Sequence, residues 1–134
     1  MSEDVPRLAS VTPILFVTDV SASARFYQTR LGFKTDFLYG EPPFYGSVSR
    51  DGFCLHLRFV HQPNFTELAA REVSLILATL EVSDVRALFA EFQGRGAAFV
   101  QPLEQQDWGG LDFQVQDPDG NRISFVEYGA PREP

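Results

Sequence analysis

His56 is the side chain in this sequence that is best suited to acid–base chemistry. Imidazole titrates near neutral pH, so a histidine in a cleft can act as a general base. The sequence offers no Ser-His-Asp or Cys-His spacing, no glycine-rich phosphate loop and no dinucleotide fingerprint beside it. Two interpretations therefore stay open. His56 is a hydrogen-bonded cleft histidine, with Ser124 or a backbone carbonyl as its partner, or it is the general base of a metal-free enzyme.

Cys54 is the single cysteine, which excludes an intramolecular disulfide and predicts a reducing, cytoplasmic location. Residues 1–4 lack the basic start of a signal peptide, in agreement with that location. Strand alternation puts Cys54, His56 and Arg58 on one face of the same strand. A small buried residue is the favoured interpretation of Cys54, ahead of a reactive thiol.

Trp108 stands between a polar stretch, residues 104–107, and two glycines, where a core tryptophan is less expected. A stacking platform for a planar ligand and simple packing of a loop are both compatible with this position. Phe37, Phe44 and Tyr45 flank a proline-rich loop and are expected to form the opposite wall of a cleft. Most of the other phenylalanines fit the packing of helices against sheets.

The net charge of -7 argues against nucleic acid as a partner, because phosphate binding needs clustered lysine and arginine. A negative field favours a cationic ligand, although solubility alone also explains such a charge. Asp36, Glu41, Asp107 and Asp112 are the carboxylates that could supply negative potential near the cleft. No apolar run approaches the roughly 20 residues that a membrane helix needs, so we expect no membrane partner.

The chain contains an internal repeat, because the same order of strand, helix and turn patterns occurs twice. A turn followed by a strand begins at Asp51, and a second one begins at Asp119, which lies 68 residues later. The sequence VTDV at 17–20 recurs as VSDV at 82–85, 65 residues later. Each half is predicted to form a strand, a helix and three further strands.

The fold class predicted from this repeat is α+β: two βαβββ modules that form curved mixed sheets with helices outside. The first module covers residues 9–60, the linker 61–72 and the second module 73–128, within one domain over residues 1–134. The concave faces of the sheets would form a cleft. Pro13 predicts that the first strand lies at a sheet edge or exchanges with a partner chain.

Capping residues, glycines and hydrophobic patterns give approximate bounds for the predicted helices and strands. Ser21 and Ser83 are the predicted N-caps of the two main helices, and Gly32 is expected to end the first. In the second half, a short strand is predicted over 97–101 and a loop over 102–106.

The motifs that carry a family resemblance are VTDV at 17–20 with Phe26-Tyr27, LGF at 31–33 and DPDGN at 117–121. They resemble the vicinal oxygen chelate superfamily, which includes glyoxalase I, extradiol dioxygenases, fosfomycin resistance enzymes and bleomycin resistance proteins. The resemblance covers roughly residues 11–128.

Within that superfamily, the chain looks most like bleomycin resistance proteins. TPIL at 12–15, RLGF at 30–33 with DF at 36–37, and WG at 108–109 carry this likeness. The resemblance implies exchange of N-terminal arms in a homodimer. It also implies an interface cleft lined by aromatics and tryptophan, with an acidic surface suited to a cationic glycopeptide.

The resemblance also indicates where metal-using relatives place their ligands, one on the first and one on the last strand of each module. Those positions here are Thr12, Leu77, His56 and Ser124. Leucine cannot coordinate a metal, and neutral hydroxyls are poor ligands for transition metals. A catalytic divalent metal normally has about three protein ligands. We therefore expect no metal site and no cofactor.

The function predicted from these residues is metal-independent binding of a planar or cationic small molecule, such as a bleomycin-like drug, in a cleft at a dimer interface. Seven residues are expected to contact the ligand: Phe37, Phe44, Tyr45, His56, Arg58, Trp108 and Ser124. The alternative is a glyoxalase-like or dioxygenase-like enzyme, a lyase or an oxygenase, with no catalytic residue assigned here.

Overall fold

The structure, a computed structural model, describes residues 5–129. Eleven elements follow one another along this part of the chain. They are β1 (Ile14–Val17), α1 (Val20–Leu31), β2 (Lys34–Tyr39), β3 (Tyr45–Arg50), β4 (Phe53–Phe59), α2 (Phe65–Arg71), β5 (Ala78–Glu81), α3 (Val85–Arg95), β6 (Phe99–Gln105), β7 (Gly110–Gln116) and β8 (Arg122–Tyr128).

The strands form two four-stranded mixed sheets with the same topology. Sheet 1 has the order β1-β4-β3-β2, and sheet 2 has the order β5-β8-β7-β6. In each sheet the first strand runs parallel to the last one, and the other pairs are antiparallel. The duplicated βαβββ pattern and the α+β fold class predicted from the repeat are confirmed.

Aspartates cap the two main helices, so the predicted serine caps were wrong. The Asp19 carboxylate accepts a hydrogen bond from the Ala22 amide at 3.0 Å. The Asp84 carboxylate accepts one from the Ala87 amide at 3.1 Å. Aspartate and serine both satisfy an N-cap, and here each helix begins directly after the aspartate. Gly32, in the left-handed conformation, ends α1 as expected.

The predicted strand bounds were wrong at β6, which runs through Pro102 to Gln105 instead of giving way to a loop. β6 is an edge strand, and its pairing with β7 is irregular between Gln101 and Glu104. A proline is tolerated at such a place because it interrupts no regular ladder. β1 and β5, the first strands of the two sheets, each span four residues.

A continuous hydrophobic core joins the two halves. Each main helix covers one face of its own sheet, and α1 also contacts α3. Tyr27 of α1, Phe92 of α3 and Phe113 of β7 are all fully buried in this core. Within residues 5–129, α1 and α3 leave the opposite face of each sheet free of helix.

Polar contacts between the halves surround the core. The Tyr27 hydroxyl donates to Asp117 at 3.0 Å, and the Asn121 amide donates to the Phe16 carbonyl at 2.9 Å. On another side, Arg50 forms a bidentate pair with Glu91 at 2.9 and 2.8 Å. Among the described residues, no helix is long and apolar enough to span a membrane.

Candidate functional site

His56 lies at the centre of the helix-free face of sheet 1, which we call the aromatic face. In the register of the sheet, His56 stands beside Ile14 on β1 and Ser47 on β3, and Ser47 stands beside Phe37 on β2. Alternation turns the adjacent leucines, Leu55 and Leu57, into the core. The predicted split of β4 into an apolar face and a His56 face therefore agrees with the structure.

Tyr45 and Phe37 enclose the imidazole of His56. The Tyr45 hydroxyl lies 2.9 Å from Nδ1 of His56, and the two ring centroids are 5.3 Å apart. The Phe37 ring approaches the imidazole edge-on, with centroids 6.0 Å apart. Three of the seven predicted ligand contacts thus form one cluster, and the partner of His56 is Tyr45 rather than Ser124 or a backbone carbonyl.

A second row of the aromatic face contains the remaining predicted residues of module 1. The Phe44 ring packs edge-on against Tyr39 at 5.3 Å. Arg58 stands beside Tyr45 in the register, and its guanidinium bonds the neighbouring carbonyl of Phe59. Phe16 and Tyr39, which were not predicted as contacts, extend the face and are 49% and 64% exposed. Groups of exposed large aromatic side chains are typical of interaction surfaces.

Asp36 lies on β2 where the register with β3 shifts, so it stands outside the regular ladder. Its carboxylate accepts hydrogen bonds from Ser47 at 2.9 Å and from Ser49 at 2.7 Å. The sequence indicated Asp36 as a source of negative potential but gave no sign of this bulge. The exposed carboxylate is thereby held beside the His56 cluster.

Sheet 2 presents a polar counterpart, the acceptor face, formed by Gln101, Gln106, Asp112, Gln114 and Ser124. Amide groups of Gln101 and Gln106 donate to Oδ1 of Asp112 at 2.7 and 2.9 Å. Gln114 donates to Gln101 at 3.0 Å and stands beside Ser124 in the register. Asp112 and Ser124 are only 5% and 2% exposed, so the single chain already buries them. These glutamines were not predicted from the sequence, because their partners depend on strand register.

Trp108 lies in the turn between β6 and β7 and is 60% exposed. Its ring covers Gly110, where a Cβ atom would collide with the indole. The Trp108 and Tyr128 ring centroids are 5.9 Å apart. The exposed indole therefore borders the acceptor face. Two of the carboxylates predicted to supply negative potential, Glu41 and Asp107, are exposed at loop positions.

The aromatic and acceptor faces remain separate within one chain. In residues 5–129, no hydrogen bond or ring contact joins His56 or its neighbours to Trp108 or Ser124. The predicted site residues therefore form two groups, one on each sheet.

The two helix-free faces do not carry a donor set that fits a metal ion. His56 stands beside Ile14, and Ser124 stands beside Thr79, which occupies the position equivalent to Ile14. Within residues 5–129 no group of three or more His, Cys, Asp or Glu side chains is arranged to hold a metal. A single imidazole with two neutral hydroxyls is a poor set for a divalent transition metal.

A groove of about 980 Å³ lies between the halves. It is lined by Val11 and Pro13 before β1, by the turn at Arg50 to Cys54, by β5 and by α3. β5 is the edge strand of sheet 2, and every residue from Ala78 to Glu81 contributes to the wall.

A family model described as the Glyoxalase/Bleomycin resistance protein/Dioxygenase superfamily matches residues 7–125. The chain belongs to this superfamily. A search of curated proteins gives no match. Membership accounts for the paired βαβββ modules, and the superfamily resemblance inferred from the motifs is confirmed.

Solved structures of this superfamily superpose on most of the chain. The bleomycin-binding protein from bleomycin-producing Streptomyces verticillus, complexed with copper(II)-bleomycin, is 26% identical, with TM-score 0.71 over 90% of this chain and 97% of that one. The bleomycin resistance determinant encoded on transposon Tn5 is 22% identical, with TM-score 0.74 over 92% and 100%. A glyoxalase-related enzyme from Clostridium phytofermentans is 17% identical, with TM-score 0.72 over 94% and 99%.

Proposed function

We propose that this protein is a metal-independent binding protein of the bleomycin resistance type. It sequesters a planar or cationic small molecule in a cleft at the interface of a homodimer. The observation that carries the proposal is the aromatic face, where Phe16, Phe37 and Tyr39 are exposed around His56. Aromatic side chains of this kind bind flat ligands by stacking and by burial of apolar surface.

A second copy of the chain is the proposed cover for the aromatic face. Within residues 5–129, the main helices lie on the core sides of both sheets. The aromatic and acceptor faces of this part of the chain point away from the core and do not contact each other. Placing sheet 1 of one protomer against sheet 2 of the other would bring His56 towards Trp108. The resulting cleft would have the aromatic wall of sheet 1, with the exposed Asp36 carboxylate, facing Trp108 at the edge of the acceptor face. A carboxylate beside aromatic rings suits a cationic molecule.

The groove offers a place for the N-terminal arm in the same dimer. Residues 5–11 form neither helix nor strand and are exposed. An extended segment from a second copy would pair with the free edge of β5. Arm exchange of this kind is implied by the resemblance to bleomycin resistance proteins, and Pro13 stands at the point where the arm leaves β1.

An enzymatic function is the alternative, because the superfamily also includes enzymes. His56 is the observation that favours it, as a partly buried imidazole beside a phenol. Shared fold alone does not assign a reaction. A role in antibiotic resistance is proposed from the likeness to bleomycin-binding and bleomycin resistance proteins. Location in the cytoplasm and the absence of nucleic-acid and membrane partners are proposed from the single cysteine, the negative net charge and the lack of a long apolar run.

Titration with metal-free bleomycin tests the proposed function. Trp108 is the only tryptophan, so its fluorescence reports directly on the cleft. We expect saturable quenching with one ligand per protomer, both before and after treatment of the protein with a chelator. Phe37→Ala should weaken binding about tenfold or more, since stacking contacts contribute about 1 to 3 kcal/mol. Leu68→Ala, at an exposed residue of α2 and outside the strands of both sheets, is the matched control. Unchanged affinity in Phe37→Ala, or binding that requires added metal, would contradict the proposal.

A further inference from the structure

We infer that Tyr45 fixes the tautomer of His56 so that this histidine presents an N–H donor, from Nε2, to a ligand oxygen. The inference rests on the proposed function, since it describes chemistry within the same cleft. It identifies Tyr45 as a positioning residue and assigns to the ligand a hydrogen-bond acceptor, such as a carbonyl or carboxylate oxygen, beside its planar portion.

The hydrogen bond between Tyr45 and His56 has a preferred direction. A phenol hydroxyl is a good donor, but its oxygen is a weak acceptor because its lone pair is delocalised into the ring. A neutral imidazole nitrogen without a proton is a strong acceptor. The contact of 2.9 Å is therefore best made by the Tyr45 hydroxyl donating to Nδ1 of His56. The proton of the neutral ring then resides on Nε2, because the bond at one nitrogen sets the state of the other.

Nε2 of His56 is available to a ligand. Within residues 5–129, Nε2 makes no hydrogen bond, and it is not among the buried side-chain atoms that lack a partner, which are Asn121 Oδ1 and Arg122 Nε. Nε2 is therefore accessible from outside the protein. Phe37 and Tyr45 contact the imidazole through their rings and hold its plane. A fixed donor flanked by aromatic rings fits a flat molecule that carries an oxygen at its edge.

The same tautomer disfavours two other roles for His56. A general base or a metal ligand must offer a proton-free nitrogen, but here the proton-free nitrogen already accepts from Tyr45. Metal-binding histidines donate their second N–H to a carboxylate, a backbone carbonyl or water. Tyr45 supplies a donor where such a site has an acceptor.

Nuclear magnetic resonance of the histidine rings tests the tautomer without any ligand. The chain has only two histidines, so His61, whose ring contacts Phe59, is an internal control. In protein labelled with ¹⁵N-histidine at a pH where both rings are neutral, we expect His56 to be a single Nε2–H tautomer. Tyr45→Phe should convert it to a mixture and leave His61 unchanged. An Nδ1–H tautomer of His56, or no change in Tyr45→Phe, would overturn the inference.

A pair of matched probes tests the assigned ligand chemistry. 1-Indanone and indane are planar and differ by one carbonyl group. We expect 1-indanone to perturb the His56 resonances and to bind His56→Phe about three- to tenfold more weakly, as for loss of one neutral hydrogen bond. Indane should bind both proteins alike. Equal effects on the two probes, or no binding of either, would overturn the acceptor assignment. The tautomer result does not depend on bleomycin, so failure of the proposed function is distinguished from failure of this inference.

Discussion

Tyr27 connects the two halves through one buried hydrogen bond. Its hydroxyl donates to Asp117, which also accepts from the backbone amides of Asp119 and Asn121 and from the Asn121 side chain. Burial is the main reason that the pKa of Asp117 lies above its ordinary value of 3.8, and the bonds from Asn121 and Tyr27 partly offset it. Burial, reinforced by Asp117, raises the pKa of Tyr27 well above 10.0, so the phenol remains a donor.

Removal of this donor is expected to destabilise the protein more at neutral pH than in acid. In Tyr27→Phe, the ionised Asp117 loses one of its compensating bonds, at a cost of about 1 to 3 kcal/mol in the free energy of unfolding. The loss should shrink as pH falls through the folded pKa of Asp117, because a protonated carboxyl needs that donor less. Urea denaturation at several pH values measures both effects. Tyr128→Phe, at an exposed tyrosine, is the control, and a loss independent of pH would contradict this account.

Some residues of the candidate site could be predicted from the sequence, and others could not. His56, Phe37 and Tyr45 were predicted to contact one ligand, and the register of β2, β3 and β4 brings their rings together. Asp36 was harder to interpret, because its position depends on a bulge between β2 and β3. The glutamine partners of Asp112 depend on the register of β6 against β7, which no local pattern determines.

Aspartates cap the two main helices, and the cap of α1 can be tested by substitution. Asp19→Ala is expected to lower the free energy of unfolding by about 1 kcal/mol, because the Ala22 amide loses its side-chain acceptor. Ser21→Ala, at the cap predicted from the sequence, should change stability by less than about 0.5 kcal/mol. Chemical denaturation of the two variants compares them directly. A larger loss in Ser21→Ala than in Asp19→Ala would contradict the observed cap.

Element type was easier to predict than element ends. The repeated order of strand, helix and three strands follows from hydrophobic periodicity and glycine positions, which are local properties. The end of β6 depends on sheet context, since Pro102 is acceptable only because β6 is an edge strand. α2, in the stretch predicted as a linker, is held by a contact distant in sequence, the bond from Thr66 to the Asp119 carbonyl at 2.8 Å.

The whole molecule is expected to be a dimer that depends on the aromatic face. Phe16 is 49% exposed in one chain, so Phe16→Asp should leave the fold intact while introducing a charge into the proposed interface. We expect a dimer for the parent protein and a monomer for Phe16→Asp in sedimentation equilibrium, with matching circular dichroism spectra. Leu68→Asp, on the exposed side of α2, should remain dimeric. A monomeric parent protein would contradict the interface.

Complementation between two variants with weakened binding tests the central claim most directly. Phe37→Ala disables the wall from sheet 1, and Trp108→Ala disables the wall from sheet 2. If each cleft combines sheet 1 of one protomer with sheet 2 of the other, a mixed dimer contains one cleft with both defects and one intact cleft. Calorimetry with metal-free bleomycin should then show no strong binding to either variant alone and restored binding, at up to one site per mixed dimer, after subunit exchange. No restoration in verified mixed dimers would contradict a cleft shared between protomers.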